Sequence, residues 1–125
     1  MLTEAEMKAN MQRYLDGFNK NDPEKVISLF AADAQVEDPV GSEKLIGKGS
    51  LADFFRQSVA SVKQLKLEAP IRGSHGNSAA MAFSIHVEKE GIKTIIHCID
   101  VMTFNDAGKI IDMKAYWGPE DAQQL

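Results

Sequence analysis

Asp100 lies within Thr94–Phe104, a run of β-branched and apolar residues that predicts a long strand. Alternate side chains of a strand share a face, which groups Asp100 with Ile96, Cys98, Met102 and Phe104. A carboxylate in that company must be paired, hydrogen-bonded or protonated. A protonated acid in an apolar cavity is a hydrogen-bond donor and so a catalytic tool; the alternative is a partly exposed aspartate at a bend of the sheet. Two further polar residues join it. Tyr14 falls on an apolar stripe with Met7, Met11, Leu15 and Phe18, the spacing of a helix that Thr3 and Glu6 open as a capping box. Its phenol, once buried, needs a hydrogen-bond partner, for which a backbone carbonyl would serve. Asp38 ends a short strand in which Ala34, Val36 and Asp38 share a face, so it is expected to point inward and Glu37 outward. Pro39 keeps Asp38 out of the helical region and predicts a sharp turn, one that suits a cis peptide bond. A carboxylate there suits a cavity mouth; a turn aspartate bonded to nearby backbone is the alternative.

The elements that must position these residues follow from the same patterns. Asn21-Asp22-Pro23 ends the first helix and opens a second, with Val26, Ile27, Leu29 and Phe30 on its buried face. Ser50 is expected to cap a third helix through about Val62, with an apolar stripe of Leu51, Phe54, Phe55, Val59 and Val62. Then Leu65, Leu67, Ala69 and Ile71 alternate with polar residues, as do Met81, Phe83, Ile85 and Val87. Turns are predicted at Gly76-Asn77, Glu90-Gly91 and Asn105–Gly108. The last strand is expected to place Ile111, Met113, Ala115 and Trp117 on one face, and the polar tail from Pro119 to fray. Helices followed by a meander predict an α+β fold: three N-terminal helices on a strongly curved, mostly antiparallel sheet that forms a cone. Its apolar cavity is expected to be lined by Phe54, Phe55, Met81, Phe83, Met113 and Trp117.

A chain of 125 residues suggests one domain, residues 1–125. The net charge of -4 gives no basic footprint for nucleic acid. No apolar run reaches membrane-spanning length, and the acidic N-terminus lacks a signal-peptide core. Cys98 is the sole cysteine, which excludes an intrachain disulfide and a cysteine-based zinc site. A cytoplasmic protein is expected. His75, His86 and His97 share neither a face nor a ligand spacing, so no metal site is predicted.

The motifs Gln12-Arg13-Tyr14, Val36-Glu37-Asp38-Pro39-Val40-Gly41, Asp100-Val101-Met102-Thr103-Phe104 and Ala115-Tyr116-Trp117 occur in the order in which the chain resembles the steroid delta-isomerases, or ketosteroid isomerases, of the cone-shaped α+β superfamily. That family is a known instance of an acid held neutral by an apolar site. The resemblance implies that Asp38 is a general base and that Tyr14 and protonated Asp100 are the two oxyanion donors. It implies a small hydrophobic steroid as substrate, with no metal or organic cofactor. The residue chemistry agrees: removing a proton next to a carbonyl needs a base and a place for the enolate charge. The sequence departs from the family at Phe55 and Phe30, where many members have tyrosine, so the hydrogen-bond network behind Tyr14 is expected to be shorter. The resemblance also implies a homodimer, and Ile95, Ile99 and Val101 give the outer sheet face the apolar character to form one. Two alternatives stand beside this reading. One is another cone-fold enzyme, an epoxide hydrolase or polyketide cyclase; the hydrolases use an Asp-Arg-Asp set for which no arginine is expected inside. The other is a non-catalytic small-molecule-binding or dimerisation module.

Overall fold

The computed structural model describes residues 2–125; Met1 lies outside the described residues. Helix α1 (Glu4–Asn19) starts at the expected capping box, in which Thr3 Oγ1 accepts from the Glu6 N–H at 3.1 Å. Its Met7, Met11, Tyr14, Leu15 and Phe18 are all buried. Asp22 accepts from the Lys25 N–H and opens α2 (Pro23–Ser28), with proline in the first turn where its missing N–H costs nothing. The two helices meet closely at Gly17, where a Cβ would stand 2.6 Å from the Val26 side chain.

Seven strands make one mixed sheet: β1 (Phe30–Glu37), β2 (Leu45–Ile46), β3 (Val62–Leu67), β4 (Ser78–Lys89), β5 (Ile92–Phe104), β6 (Ile110–Tyr116) and β7 (Ala122–Gln124). Their order is β2-β1-β6-β5-β4-β3, with β7 on β5 beyond the end of β6. Only β1 and β6 run parallel; every other pairing is antiparallel. Helix α3 (Lys48–Ser61) feeds directly into β3. The three helices cover one face of the sheet, and the buried residues between them form one core cluster. Register irregularities in β1, β3 and the β5–β6 pair bend the strands, which is how an open sheet curls into a cone. The Asn19 side chain ties α1 to that wall, donating to the Leu65 carbonyl at 3.0 Å and accepting from the Leu65 N–H at 2.8 Å.

Several boundaries differ from the sequence reading. Phe30 belongs to β1, not to α2: it pairs with Ile110 and is buried there. Helix α3 begins two residues before Ser50, behind Gly47 at φ +87°, a value that suits glycine. The strand after α3 stops at Leu67, and Arg72 makes only an isolated bridge to Ala80. Ile111 is the extra residue of a bulge between the Thr103–Asp112 and Phe104–Ile110 pairs, so Ile110 takes the core position expected for Ile111. The tail does not fray: Pro119–Asp121 forms a 3-10 turn and β7 pairs with Thr94–Ile96 of β5.

Candidate active site

Asp100 sits mid-way along β5. Its cross-strand neighbours are Met81 on β4 and Ala115 on β6, and Cys98 and Met102 flank it along its own strand. These groups leave it 1% exposed. One oxygen, Oδ1, accepts a weak bond from the Cys98 thiol at 3.5 Å, and the other, Oδ2, is buried with no hydrogen-bond partner among the described residues. Burial drives the Asp100 carboxyl well above the ordinary carboxylate range, and the charge of Asp38 pushes it further the same way; the Cys98 bond opposes them. Both effects favour the protonated acid over the carboxylate.

Tyr14 comes from the middle of α1, with its ring packed against Phe18 and Phe55 at centroid separations of 5.0 and 5.9 Å. Burial first, then the nearby Asp100 and Asp38, raise its phenol above its ordinary value, so the O–H keeps its proton. Phe30 and Phe55 stack with each other at 5.0 Å, and their rings offer Tyr14 no donor.

Asp38 follows the last residue of β1, and the alternation that buries Ala34 and Val36 carries it inward. The Asp38–Pro39 peptide bond is cis. The loop is pinned to β6 by the Val40 N–H, which donates to the Ala115 carbonyl at 2.8 Å. Asp38 is half-buried, and Trp117 Nε1–H donates to its Oδ1 at 3.2 Å. Burial raises the Asp38 carboxyl, and the indole bond lowers it. The two acids are thus displaced in the same direction, Asp100 the further, and Asp38 is the one that ionises first.

All three residues line one cavity of about 270 Å³. Phe54, Phe83 and Trp117 line it too. Phe55, Met81 and Met113 do not: each is at most 1% exposed and packed in the core, because the helices press directly on that part of the sheet. The wall also contains residues beyond those expected to line it. Ile85, Val87, Ile96 and Cys98 extend the inward parity of Phe83 and Asp100, a signal present in the alternation. Ser58 and Ser61 follow Phe54 at helical spacing on α3, and Phe18, Val62 and Leu65 complete the wall. None of Arg13, Arg56 or Arg72 reaches the cavity: Arg13 meets Asn10, Arg56 pairs with Glu24, and Arg72 is exposed. Among the described residues no three His, Cys, Asp or Glu side chains converge as a metal site. His86 bonds Ser84 at 2.9 Å and His97 bonds Glu68 at 2.8 Å, both on the convex face of the sheet. No helix among the described residues is long and apolar enough to cross a membrane.

Comparison with known proteins gives the family. Residues 11–113 match the SnoaL-like domain. The steroid delta-isomerase of Nocardioides simplex is 34% identical over 117 residues, which cover 94% of each chain. The epoxide hydrolase LasB of Streptomyces lasalocidi is 25% identical over 116 residues, 87% of this chain but 40% of that protein. The solved structure of SalBIII, an epoxide hydrolase/cyclase-like enzyme with a role in pyran ring formation in the polyether salinomycin, superposes over the whole of both chains with a TM-score of 0.91 at 24% identity, a likeness of fold. The relatives are thus enzymes, and the chain belongs to the SnoaL-like domain family and to the steroid delta-isomerase (ketosteroid isomerase) family of cone-shaped α+β proteins.

Proposed function

We propose that the protein is a steroid delta-isomerase, converting a 3-oxo-5-ene steroid to its conjugated 4-ene isomer through a dienolate. The observation that carries the reading is the almost fully buried Asp100, with an unpartnered oxygen, in the same cavity wall as Tyr14 and the half-buried Asp38. In the reaction Asp38 takes a proton from C4, and the electron pair of that bond moves through C3 onto the carbonyl oxygen. Tyr14 and Asp100 each donate a hydrogen bond to the resulting oxyanion. Asp38 then returns the proton at C6, which leaves the double bond between C4 and C5. The proton is moved within one molecule, with no net oxidation and no water consumed. A positioned base supplies roughly 10²–10⁴-fold. Each preorganised oxyanion donor supplies on the order of 10²–10³. Trp117 holds Oδ1 of Asp38 and so leaves Oδ2 to work on the substrate.

The apolar remainder of the cavity suits a flat hydrocarbon. From the Asp100 row to the Ile96 row the concave face runs about 13 Å, four residues at the rise of a strand. Phe54, Phe83, Ile85 and Ile96 line that length. A cytoplasmic homodimer belongs to the same proposal. Ile99 and Tyr116 are cross-strand neighbours on the convex face, 48% and 47% exposed, and an apolar pair of that size is suited to burial against a second copy.

A second reading, an epoxide-opening or cyclising enzyme, draws on the likeness to LasB and SalBIII. The absence of arginine from the cavity wall weighs against the Asp-Arg-Asp version of that chemistry. Incubation with a 5-ene-3-oxo steroid and, in parallel, with a polyether-type epoxide distinguishes them. Growth of conjugated-enone absorbance with the steroid, and an unchanged epoxide, is the expected result. Epoxide consumption with an inert steroid would replace the isomerase by the second reading.

A further inference from the structure

The thiol of Cys98 stands beside Asp100 without a part in the scheme above. The two residues are two apart on β5, so both project from its concave face. Cys98 is 3% exposed, lines the cavity, and places Sγ 3.5 Å from Asp100 Oδ1. Burial raises the thiol, and the neighbouring acids add to that, so it remains S–H. A neutral carboxyl group has two ends: one oxygen carries the proton and the other can only accept. Nothing in an apolar pocket of Met81, Ala115 and Met102 distinguishes them. The thiol does. An S–H donates to the accepting oxygen, so Oδ1 is the carbonyl end and the proton resides on Oδ2. That oxygen is the buried atom left without a protein partner. Buried polar atoms almost always have a partner, so a ligand oxygen is its natural complement.

We infer that Cys98 is a positioning residue: by engaging Oδ1 it fixes the carboxyl of Asp100 so that the Oδ2 hydroxyl is the group offered to the substrate oxyanion. The inference rests on the reading of Asp100 as a neutral donor. Its neighbours in the sheet cannot take its place, because Met81, Met102 and Ala115 carry no side-chain donor.

The test is infrared difference spectroscopy of the substrate-free protein near neutral pH, with Asp100→Asn as the blank that assigns the carboxylic C=O stretch. Cys98→Val keeps an apolar side chain of similar bulk and removes the donor; Cys98→Ser keeps a donor. Cys98→Ala serves in place of valine if valine is not tolerated. The expected result is a carboxylic acid band in the native protein that moves to higher wavenumber and broadens in Cys98→Val, and returns in Cys98→Ser. Turnover of a 5-ene-3-oxo steroid should fall roughly two- to tenfold in kcat in Cys98→Val, the range of one ordinary hydrogen bond, with KM little changed and with recovery in Cys98→Ser. A band present in the native protein and unmoved in Cys98→Val overturns the role of Cys98 and leaves Asp100 as a donor. No carboxylic acid band in the native protein overturns the reading of Asp100, and this inference with it.

Discussion

Replacing Asp100 by Asn and by Ala separates charge from hydrogen bonding. In the unfolded chain an aspartate ionises near pH 3.9. In the fold, burial holds Asp100 neutral well above that value. Between those two points the native state keeps a proton that the unfolded state has lost. Asp100's contribution to stability is therefore full below about pH 3.9 and is lost as pH rises through the folded value. The slope of that loss is about 1.4 kcal/mol per pH unit. Asparagine does not titrate, and the remaining acids titrate alike in both proteins and cancel. As pH rises above about 3.9 the stability of Asp100→Asn relative to the native protein should thus improve, and keep improving for as long as the native carboxyl holds its proton. Urea denaturation at several pH values reads this directly. Asp100→Ala removes a donor and should lose on the order of 10²–10³ in kcat. Asp100→Asn retains an N–H in the same place and should lose clearly less. A stability difference flat with pH, together with equal damage from Asn and Ala, would reduce Asp100 to a structural acid of ordinary ionisation.

Trp117→Phe removes the indole donor from Asp38 while preserving an aromatic wall. Burial of Asp38 then acts unopposed, its carboxyl rises, and the acid limb of the pH profile of kcat/KM should move to higher pH; an unmoved limb would remove Trp117 from any influence on the base. The native protein should sediment as a dimer at micromolar concentration, and Ile99→Lys, which places a charge in the convex apolar pair, should yield monomer; a native monomer would refute the dimer.

The positions of the polar trio were legible in the sequence because each member sits within a regular element or directly at its end. Tyr14 follows from a 3.6-residue stripe, and Asp38 and Asp100 from two-residue alternation that continues up to them. Where an irregularity intervenes the same reasoning fails: the bulge at Ile111 hands its core position to Ile110. The cavity wall was less legible than the core. Phe55 and Phe83 are both inward and aromatic, one by the helical stripe of α3 and the other by the alternation of β4, and these patterns give them the same fate. Which one borders empty space depends on how closely a helix packs over it, a three-dimensional quantity. Ser58 and Ser61 are polar, which reads as solvent exposure, though they follow Phe54 around the helix into the wall. The strand at Ala122–Gln124 carries no apolar signal and forms because β5 leaves an edge there for it to pair with. The contact between Trp117 and Asp38 joins residues far apart in the chain, and no local pattern announces it.

In the proposed reaction a single carboxylate, Asp38, carries a proton across a steroid held by Tyr14 and Asp100. Its most direct test is ultraviolet absorbance during incubation of a 5-ene-3-oxo steroid with the native protein and with Asp38→Asn. Asparagine preserves shape and removes basicity. The expected result is rapid growth of the conjugated-enone band with the native protein, and a rate lower by roughly 10²–10⁴ with Asp38→Asn, while a non-reacting steroid analogue still binds the variant. A native protein no faster than buffer, or an Asp38→Asn variant of near-native rate, would contradict it.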